Sequence, residues 1–246
     1  MDVDIACVGF GPASAGFLTT LSRAMLDENG MPLLESRVMP GMPLQVMCYE
    51  RADDISFGVS GVVTRARSIK ASFPDLDLTQ IPMAAPVTKE KVVYLLDPVG
   101  ASRKSAVQKI VDSVVRACSF LPWYKNDAFE LPWIPQFMQK HDGIMLSMGQ
   151  FMQWAGSQLM ASGLVQIWPG MPVKEPLING KAVEGIRLAD QGVDKKGTPD
   201  SAFMPGMDIH AKLTVVADGP VGAVGQKLNE SFGMPEGHHQ RDWAVG

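Results

Sequence analysis

Ala6-Cys7-Val8-Gly9-Phe10-Gly11-Pro12-Ala13-Ser14-Ala15-Gly16 is the stretch on which the fold turns. The residues leading into it, Asp4 to Val8, form a short apolar run that reads as a buried parallel strand. Two glycines follow, and after them Phe17, Leu18, Leu21 and Met25 recur at the spacing of one helical face. Strand, glycine turn and helix in that order open a dinucleotide-binding βαβ unit. Gly9 permits the tight turn. Gly11 has no Cβ, so a pyrophosphate can reach the backbone and rest on the helix N-terminus, with Pro12, Ala13 and Ser14 beside it. Ser14 stands where the fingerprint has its third glycine; a small residue there still lets helix and strand approach.

The unit needs an acidic residue at the end of its second strand, and Leu44-Gln45-Val46-Met47-Cys48-Tyr49-Glu50 supplies one. Glu50 is placed to accept hydrogen bonds from an adenosine ribose, and Arg51 after it suits a flavin site. The spacing from the glycines exceeds the usual value of about 20 residues. Asn29 to Pro43, rich in Pro, Gly and Met, accounts for the excess as a surface insertion. An ordinary βαβ unit with a chance glycine pair fits the same local pattern.

Composition narrows the class. The 246 residues are 46% hydrophobic and 20% charged, with net charge −4, the profile of a globular protein with one large domain or two small ones. No basic stripe appears, which argues against nucleic acid as a partner. Cys7, Cys48 and Cys118 lie far apart without C-x-x-C spacing and read as structural thiols in a reducing, cytoplasmic setting. No run approaches the roughly 18 apolar residues of a membrane span, and no signal peptide precedes the first strand.

Further along, Ile55 to Val63 is a small-residue loop in which the backbone at Ser60 and Gly61 can approach a flavin ring; a plain glycine loop fits equally. Lys91–Leu96 reads as a strand. Lys104–Phe120 reads as a helix with Val107, Ile110, Val111, Val114, Val115 and Cys118 in one stripe. Pro122–Phe137 is aromatic and broken by prolines, a segment suited to a quinone site or a membrane interface, or to packing on its own domain. Met148–Leu159 is predicted helical, with Gly163 as its stop; Leu164–Trp168 and Ala182–Leu188 are predicted strands. Gly192–Met207 reads as a hairpin-like excursion, and Lys212–Ala217 as a buried strand running into Asp218-Gly219-Pro220-Val221-Gly222. A short helix ends beyond Leu228, and Trp243-Ala244-Val245 looks like a strand barely begun. His141 and His210 are isolated, and His238-His239 sit in a polar loop. No nucleophile elbow, P-loop or metal-spaced cluster stands out, so any enzymatic chemistry falls to a cofactor.

In order along the chain, these segments resemble the electron transfer flavoprotein–ubiquinone oxidoreductase family and its FixC-like relatives. The carrying residues are Gly9-Phe10-Gly11-Pro12-Ala13, Tyr49-Glu50-Arg51, Val59-Ser60-Gly61-Val62-Val63 and Thr88-Lys89-Glu90-Lys91-Val92. More specific is the series Ser147-Met148-Gly149-Gln150-Phe151, Trp154, Trp168-Pro169-Gly170, Gly185 and Asp194-Lys195-Lys196-Gly197-Thr198-Pro199. It continues through Phe203-Met204-Pro205-Gly206-Met207, Ala211-Lys212 and Ala217-Asp218-Gly219. The likeness covers nearly the whole chain outside Asn29–Pro43 and Ala101–Pro135.

The resemblance implies an α/β fold: a Rossmann-like FAD-binding domain of the glutathione-reductase/hydroxylase type with an inserted β-rich substrate-side portion. It implies one domain over 1–246, with 70–145 and 174–210 as excursions from the nucleotide-binding core, and a chain cut short at its C-terminus. The implied activity is FAD-dependent electron transfer from reduced electron transfer flavoprotein to a membrane quinone (ubiquinone or menaquinone), peripheral to the cytoplasmic membrane. By position, Gly9, Gly11 and Pro12 would frame the pyrophosphate, and Glu50, with Arg51 beside it, the ribose. Ser60 and Gly61 would lie near the flavin, the Val173 backbone near the adenine, and Asp218 and Gly219 would form a second FAD contact. Complete family members also carry a [4Fe-4S] cluster, whose ligands the three cysteines here cannot supply. A geranylgeranyl reductase-like flavoenzyme and a non-catalytic flavin-binding subunit remain alternatives.

Overall fold

The fold is given by a computed structural model that describes residues 1–55, 61–74, 76–96, 104–139, 143–194 and 196–233. The expectations at Ser60, Lys195, His141, His238-His239 and Trp243–Val245 lie outside the described residues. In chain order the elements are β1 (Asp2–Val8), α1 (Pro12–Ala24), β2 (Val46–Tyr49), β3 (Val62–Arg65), α2 (Arg67–Ser72), β4 (Ala85–Pro86), β5 (Val93–Leu95) and α3 (Ala106–Ala117). Then come β6 (Tyr124–Lys125), β7 (Ala128–Glu130), β8 (Gly143–Leu146), α4 (Met148–Ala161), β9 (Val165–Trp168), β10 (Val173–Asn179) and β11 (Ala182–Leu188). The last are β12 (Gln191–Val193), β13 (Pro199–Met204), β14 (Asp208–Val216) and α5 (Ala223–Phe232). The chain divides into two compact units, one of residues 1–62, 66–85 and 145 onward, the other of 63–65 and 86–144.

The first unit is built on a six-stranded sheet of order β10-β11-β14-β1-β2-β9. Parallel pairing joins β14 to β1, β1 to β2 and β2 to β9, while β11 and β10 are added antiparallel. This is the predicted α/β fold: consecutive strands lie side by side with α1 as the first crossover, and the return to β14 puts β1 in the middle. Parallel strands are covered on both faces, which is why Ile5–Val8 of β1 and the whole of β2 read as apolar runs. On one face Val3, Ala6, Val8, Met47, Tyr49, Ile186, Ile209 and Val224 form a single cluster, joined by Leu228 of α5. α1 packs against α4 and buries Ala15 and Leu18, with Met25 buried at its C-terminal cap, while α4 buries Phe151, Met152, Ala155 and Leu159. Each such large apolar side chain contributes about 1.5–3 kcal/mol.

The structure corrects several sequence-based expectations. Phe17 shares the helical periodicity of Leu18 and Met25 but is 36% exposed, because the buried stripe of α1 runs through Ala15, Leu18 and Ser22 instead. The strand β10 carries Glu175 and Pro176 and has little apolar alternation, so no sequence signal announced it. Conversely, β14 starts earlier than its apolar run, at Asp208.

The insertion after α1 is held by a buried acid inside β1. Asp4 is 3% exposed, and its carboxylate accepts from the backbone N–H groups of Arg37 (2.8 Å) and Gln45 (2.9 Å). Burial acts to raise its pKa, but hydrogen bonds from the Ser36 hydroxyl and from the backbones of Gln45, Arg37 and Val38 outweigh it and leave the carboxyl below its ordinary value. Asn29–Pro43 is otherwise mostly exposed, as predicted.

In the second unit β5, β7 and β6 form an antiparallel sheet. Asn126 and Asp127, both at positive φ, turn the β6–β7 hairpin. Ser105 and Gln108 form a capping box at the start of α3. The predicted stripe on α3 exists, but it faces out: Val107 is 71% exposed, and Ile110, Val111 and Val114 are also exposed. The buried residue of this helix is Asp112, which accepts from Tyr94 Oη at 2.6 Å and Lys104 Nζ at 2.8 Å. Periodicity showed that α3 has an apolar face; it did not show that a charged one would be turned inward.

Candidate nucleotide site at the carboxyl ends of the parallel strands

The four parallel strands end at Val216, Val8, Tyr49 and Trp168, and the loops leaving β1, β2 and β14 start from this end of the sheet with Gly9 and Gly11, Glu50 and Arg51, and Asp218 and Gly219. Chain direction reverses its lateral progress at β1, with β2 on one side and β14 on the other, and such a switch point opens a crevice for ligands. The glycine turn lies there.

The two glycines of that turn differ in what they face. Gly9 has φ +85°, and a Cβ on it would lie 2.7 Å from the Ala217 carbonyl oxygen. It is therefore needed by the protein itself, for the approach of the β14 loop. Gly11 caps α1 with φ −103°, and a Cβ built on it meets no atom of the described residues within 4 Å. Its missing side chain serves nothing inside the described protein; it leaves open space over the first turn of α1, where the N–H groups of Ala13 and Ser14 have no intrahelical acceptor. Pro12 at the first helical position has no N–H to satisfy. An anionic pyrophosphate fits this cradle by charge and by space. Ser14, the departure from the glycine fingerprint, is 1% exposed and both accepts from Gly11 N–H and donates to Gly11 O at 3.0 Å. It locks the turn from within.

Phe10, between the glycines, is buried against α4: a Cβ on Gly156 would lie 3.3 Å from its ring and 2.6 Å from Ile55. Gly156 is thus the close-packing point that sets the turn's depth. Only the three-dimensional contact reveals it, since a mid-helix glycine carries no such signal in sequence.

Glu50 sits at the tip of β2, half-buried. Its carboxylate accepts from Phe10 N–H at 2.6 Å and from Ala52 N–H at 2.9 Å, bridging the glycine turn and its own loop. Arg51 beside it is exposed. The loop is tied to the end of β9 by Glu50 N–H to Trp168 O (2.9 Å), Met171 N–H to Glu50 O (2.9 Å) and Gly170 N–H to Ala52 O (2.8 Å). Val173 begins β10 just beyond and pairs with Leu188. On the other side of the crevice Asp218 accepts from Val224 N–H at 2.9 Å and Gly225 N–H at 3.3 Å, capping α5, and its carboxylate fills the space a Gly222 Cβ would take. Gly219 adopts φ +83°. The predicted acids therefore hold the loops that form the crevice. Gly61 is exposed in the same unit.

Cys7 and Cys48 are register neighbours in β1 and β2, both fully buried. Burial pushes the Cys7 thiol up to about 12 and raises that of Cys48 well above its ordinary value. As buried thiols they match the structural role read from sequence. Among the described residues no cluster of His, Cys, Asp and Glu could hold a metal ion, and no helix is long and apolar enough to cross a membrane.

With this geometry in view, similarity to known proteins becomes specific. The chain matches, along its whole length, curated proteins from bacteria and mammals. It is similar to electron transfer flavoprotein-ubiquinone oxidoreductases. The probable oxidoreductase of that name from Acinetobacter baylyi is 27% identical over 251 residues, covering 100% of this chain and 37% of the relative. The mitochondrial protein of the pig is 25% identical, covering 100% of this chain and 34% of the relative. The chain thus spans little more than a third of the length of these relatives. Among solved structures, Pseudomonas aeruginosa PqsL in complex with 2-aminobenzoylacetate superposes with a TM-score of 0.50 at 11% identity, over 94% of this chain and 46% of that one, a likeness of fold. No protein-family model matches the chain.

Proposed function

We propose that this chain forms the nucleotide-holding part of an FAD-dependent oxidoreductase that passes electrons from reduced electron transfer flavoprotein to a membrane quinone. The observation that carries the reading is the crevice itself: an open cradle at Gly11 on the N-terminus of α1, with Glu50 bound to the backbone of the same turn. The names of the full-length matches support the electron-transfer part of the reading. When bound, FAD would supply the redox chemistry. Everything the described residues contribute is binding and orientation. Gly11 would leave the backbone open to the pyrophosphate, Gly9 holds the turn against the loop after β14, and the free N–H groups of Ala13 and Ser14 would face the ligand's charge. Glu50 keeps lone pairs for ribose hydroxyls while fixing Phe10 and Ala52. Val173 is offered as the backbone beside the adenine, and Asp218 and Gly219 as the second wall, with Gly61, and Ser60 beyond the described residues, toward the flavin ring.

A peripheral place on a membrane is part of the same proposal. α3 turns Val107, Ile110, Val111 and Val114 to solvent, and Phe120, Trp123, Trp133 and Phe137 of the following segment are exposed as well. An amphipathic helix with aromatic neighbours is the kind of surface that lies on a bilayer and approaches a quinone there.

The test is an absorbance spectrum of the purified chain, FAD titration, and exposure to reduced electron transfer flavoprotein. Saturable FAD binding followed by bleaching of the flavin bands is the expected result. A chain that ignores FAD at millimolar concentration refutes the nucleotide assignment; one that binds FAD but is not reduced refutes the assigned electron donor.

A further inference from the structure

The last turns of α1 and α4 and the end of α2 enclose a cleft of about 220 Å³ within the first unit. A cavity of about 150 Å³ is enough to hold a benzene ring. The apolar lining is Leu26, Phe73, Leu159 and Leu164. Two of the polar groups around it are already engaged: Ser22 Oγ donates to Thr19 O at 3.0 Å, and Ser162 Oγ to Leu159 O at 2.6 Å. Two others are not. Thr19 lines the cleft and is 3% exposed, and its hydroxyl is buried with no hydrogen-bond partner among the described residues, a cost that native folds normally avoid. Arg23, at the exposed rim, holds its guanidinium 5.6 Å from the centroid of the Phe73 ring. Phe73 is in turn set against Trp154, with ring centroids 5.0 Å apart. Among the described residues no carboxylate pairs with Arg23. Thr19 and Arg23 lie one helical turn apart on the same face of α1.

We propose that this cleft is a binding site for a small carboxylic acid with an apolar body, taken up as its anion. The carboxylate would meet the Arg23 guanidinium and the Thr19 hydroxyl together, and the body would lie among Leu26, Phe73, Leu159 and Leu164. A guanidinium stacked on an aromatic ring is pre-organised for such a contact, so little side-chain freedom is lost on binding. A carboxylate suits the cleft better than a phosphate. The C-terminal turns of α1 and α4 bring the negative ends of two helix dipoles here, and one guanidinium balances one charge rather than two. Arg23 lies about 18 Å from Gly11 along α1, at about 1.5 Å of rise per residue. The inference therefore stands apart from the flavin assignment.

The test titrates the 246-residue chain with benzoate and follows the backbone amides by NMR. Saturable shifts are expected at Thr19, Arg23, Phe73 and Leu164 and not at Gly9 or Gly11, with acetate and inorganic phosphate each at least tenfold weaker. Arg23→Gln is expected to lower benzoate affinity at least tenfold. Thr19→Val keeps the shape of the side chain and removes the orphaned hydroxyl, so it should lower affinity at least threefold while melting at or above the parent. Lys181→Gln, at an exposed turn on the far side of β10 and β11, is the control for loss of a positive charge and leaves affinity intact. The proposal is overturned by the absence of saturable shifts, by shifts centred on the glycine turn, or by acetate or phosphate binding as tightly as benzoate. Benzoate affinity unchanged in Arg23→Gln, or lowered equally in Lys181→Gln, overturns it as well.

Discussion

The two glycines of the first turn allow a paired experiment in which one substitution damages the fold and its neighbour, two residues away, damages only the site. Gly9→Ala must hold an L-residue at φ +85°, which costs about 1–2 kcal/mol. Its Cβ must also be accommodated 2.7 Å from Ala217 O, an overpacking of backbone on backbone worth about 1–3 kcal/mol. Together these predict a loss of roughly 2–5 kcal/mol, or about 4–20 °C in melting temperature for a chain of this size. Gly11→Ala has φ −103° and free space around the new Cβ among the described residues, so its effect on stability is confined to the preference of an N-cap for Gly over Ala, about 0.5–1 kcal/mol. FAD affinity reverses the order: Gly11→Val fills the space assigned to the pyrophosphate and is expected to weaken binding at least 100-fold, about 2.7 kcal/mol, while melting within about 4 °C of the parent. Thermal denaturation followed by circular dichroism and FAD titration of the same preparations decide it. If Gly9→Ala and Gly11→Ala melt together, the Ala217 contact does not hold the turn; if Gly11→Val binds FAD like the parent, the pyrophosphate does not cross there.

Glu50→Gln replaces one acceptor oxygen by an amide that faces the donors Phe10 N–H or Ala52 N–H; a loss of about 1–3 kcal/mol in stability is expected, with a tenfold or greater loss of FAD affinity, and an unchanged titration would remove Glu50 from the site. Asp218→Ala removes the acceptor of Val224 and Gly225 N–H, which should cost about 0.5–2 kcal/mol and speed hydrogen exchange at those two amides. Because the Asp4 carboxyl sits below its ordinary value of 3.8 in the folded chain, its contribution is fully present above that pH and is lost as pH falls through the folded value. Asp4→Asn should therefore destabilise by about 1.5–3 kcal/mol near neutrality, with the gap to the parent closing below pH 4; a gap independent of pH in urea denaturation would contradict the pinning of Arg37 and Gln45. Ile110→Glu on the open face of α3 should leave melting unchanged and abolish co-sedimentation with vesicles of neutral phospholipid, and undiminished sedimentation would detach α3 from the membrane reading.

Much of the first unit was legible because its residues are chosen by local rules. A parallel strand buried on both faces is mostly apolar, a tight turn at positive φ favours glycine, and a helix that takes a pyrophosphate on its N-terminus is favoured by a neighbour without a Cβ. Those rules marked β1, Gly9, Gly11, α1 and the acid after β2. They also placed Ser14 beside the turn, though not the pair of hydrogen bonds by which it holds Gly11.

The rest depended on which surfaces meet. Helical spacing is the same whether a stripe faces a core, a lipid or solvent, so Phe17 and the α3 stripe could not be oriented from sequence, and the burial of Asp112 was invisible until Tyr94 and Lys104 were brought to it. Asp4 looked like the polar start of a strand until the insertion folded back onto it. Gly156 and Phe10 are far apart in the chain and acquire their shared role only by contact. Sequence by itself determined the βαβ beginning and the chemistry of its turn, since those are dictated by the backbone conformation of a few consecutive residues. The tertiary structure alone decided which acids hold loops and which apolar faces stay open, because burial and pairing are properties of distant segments brought together.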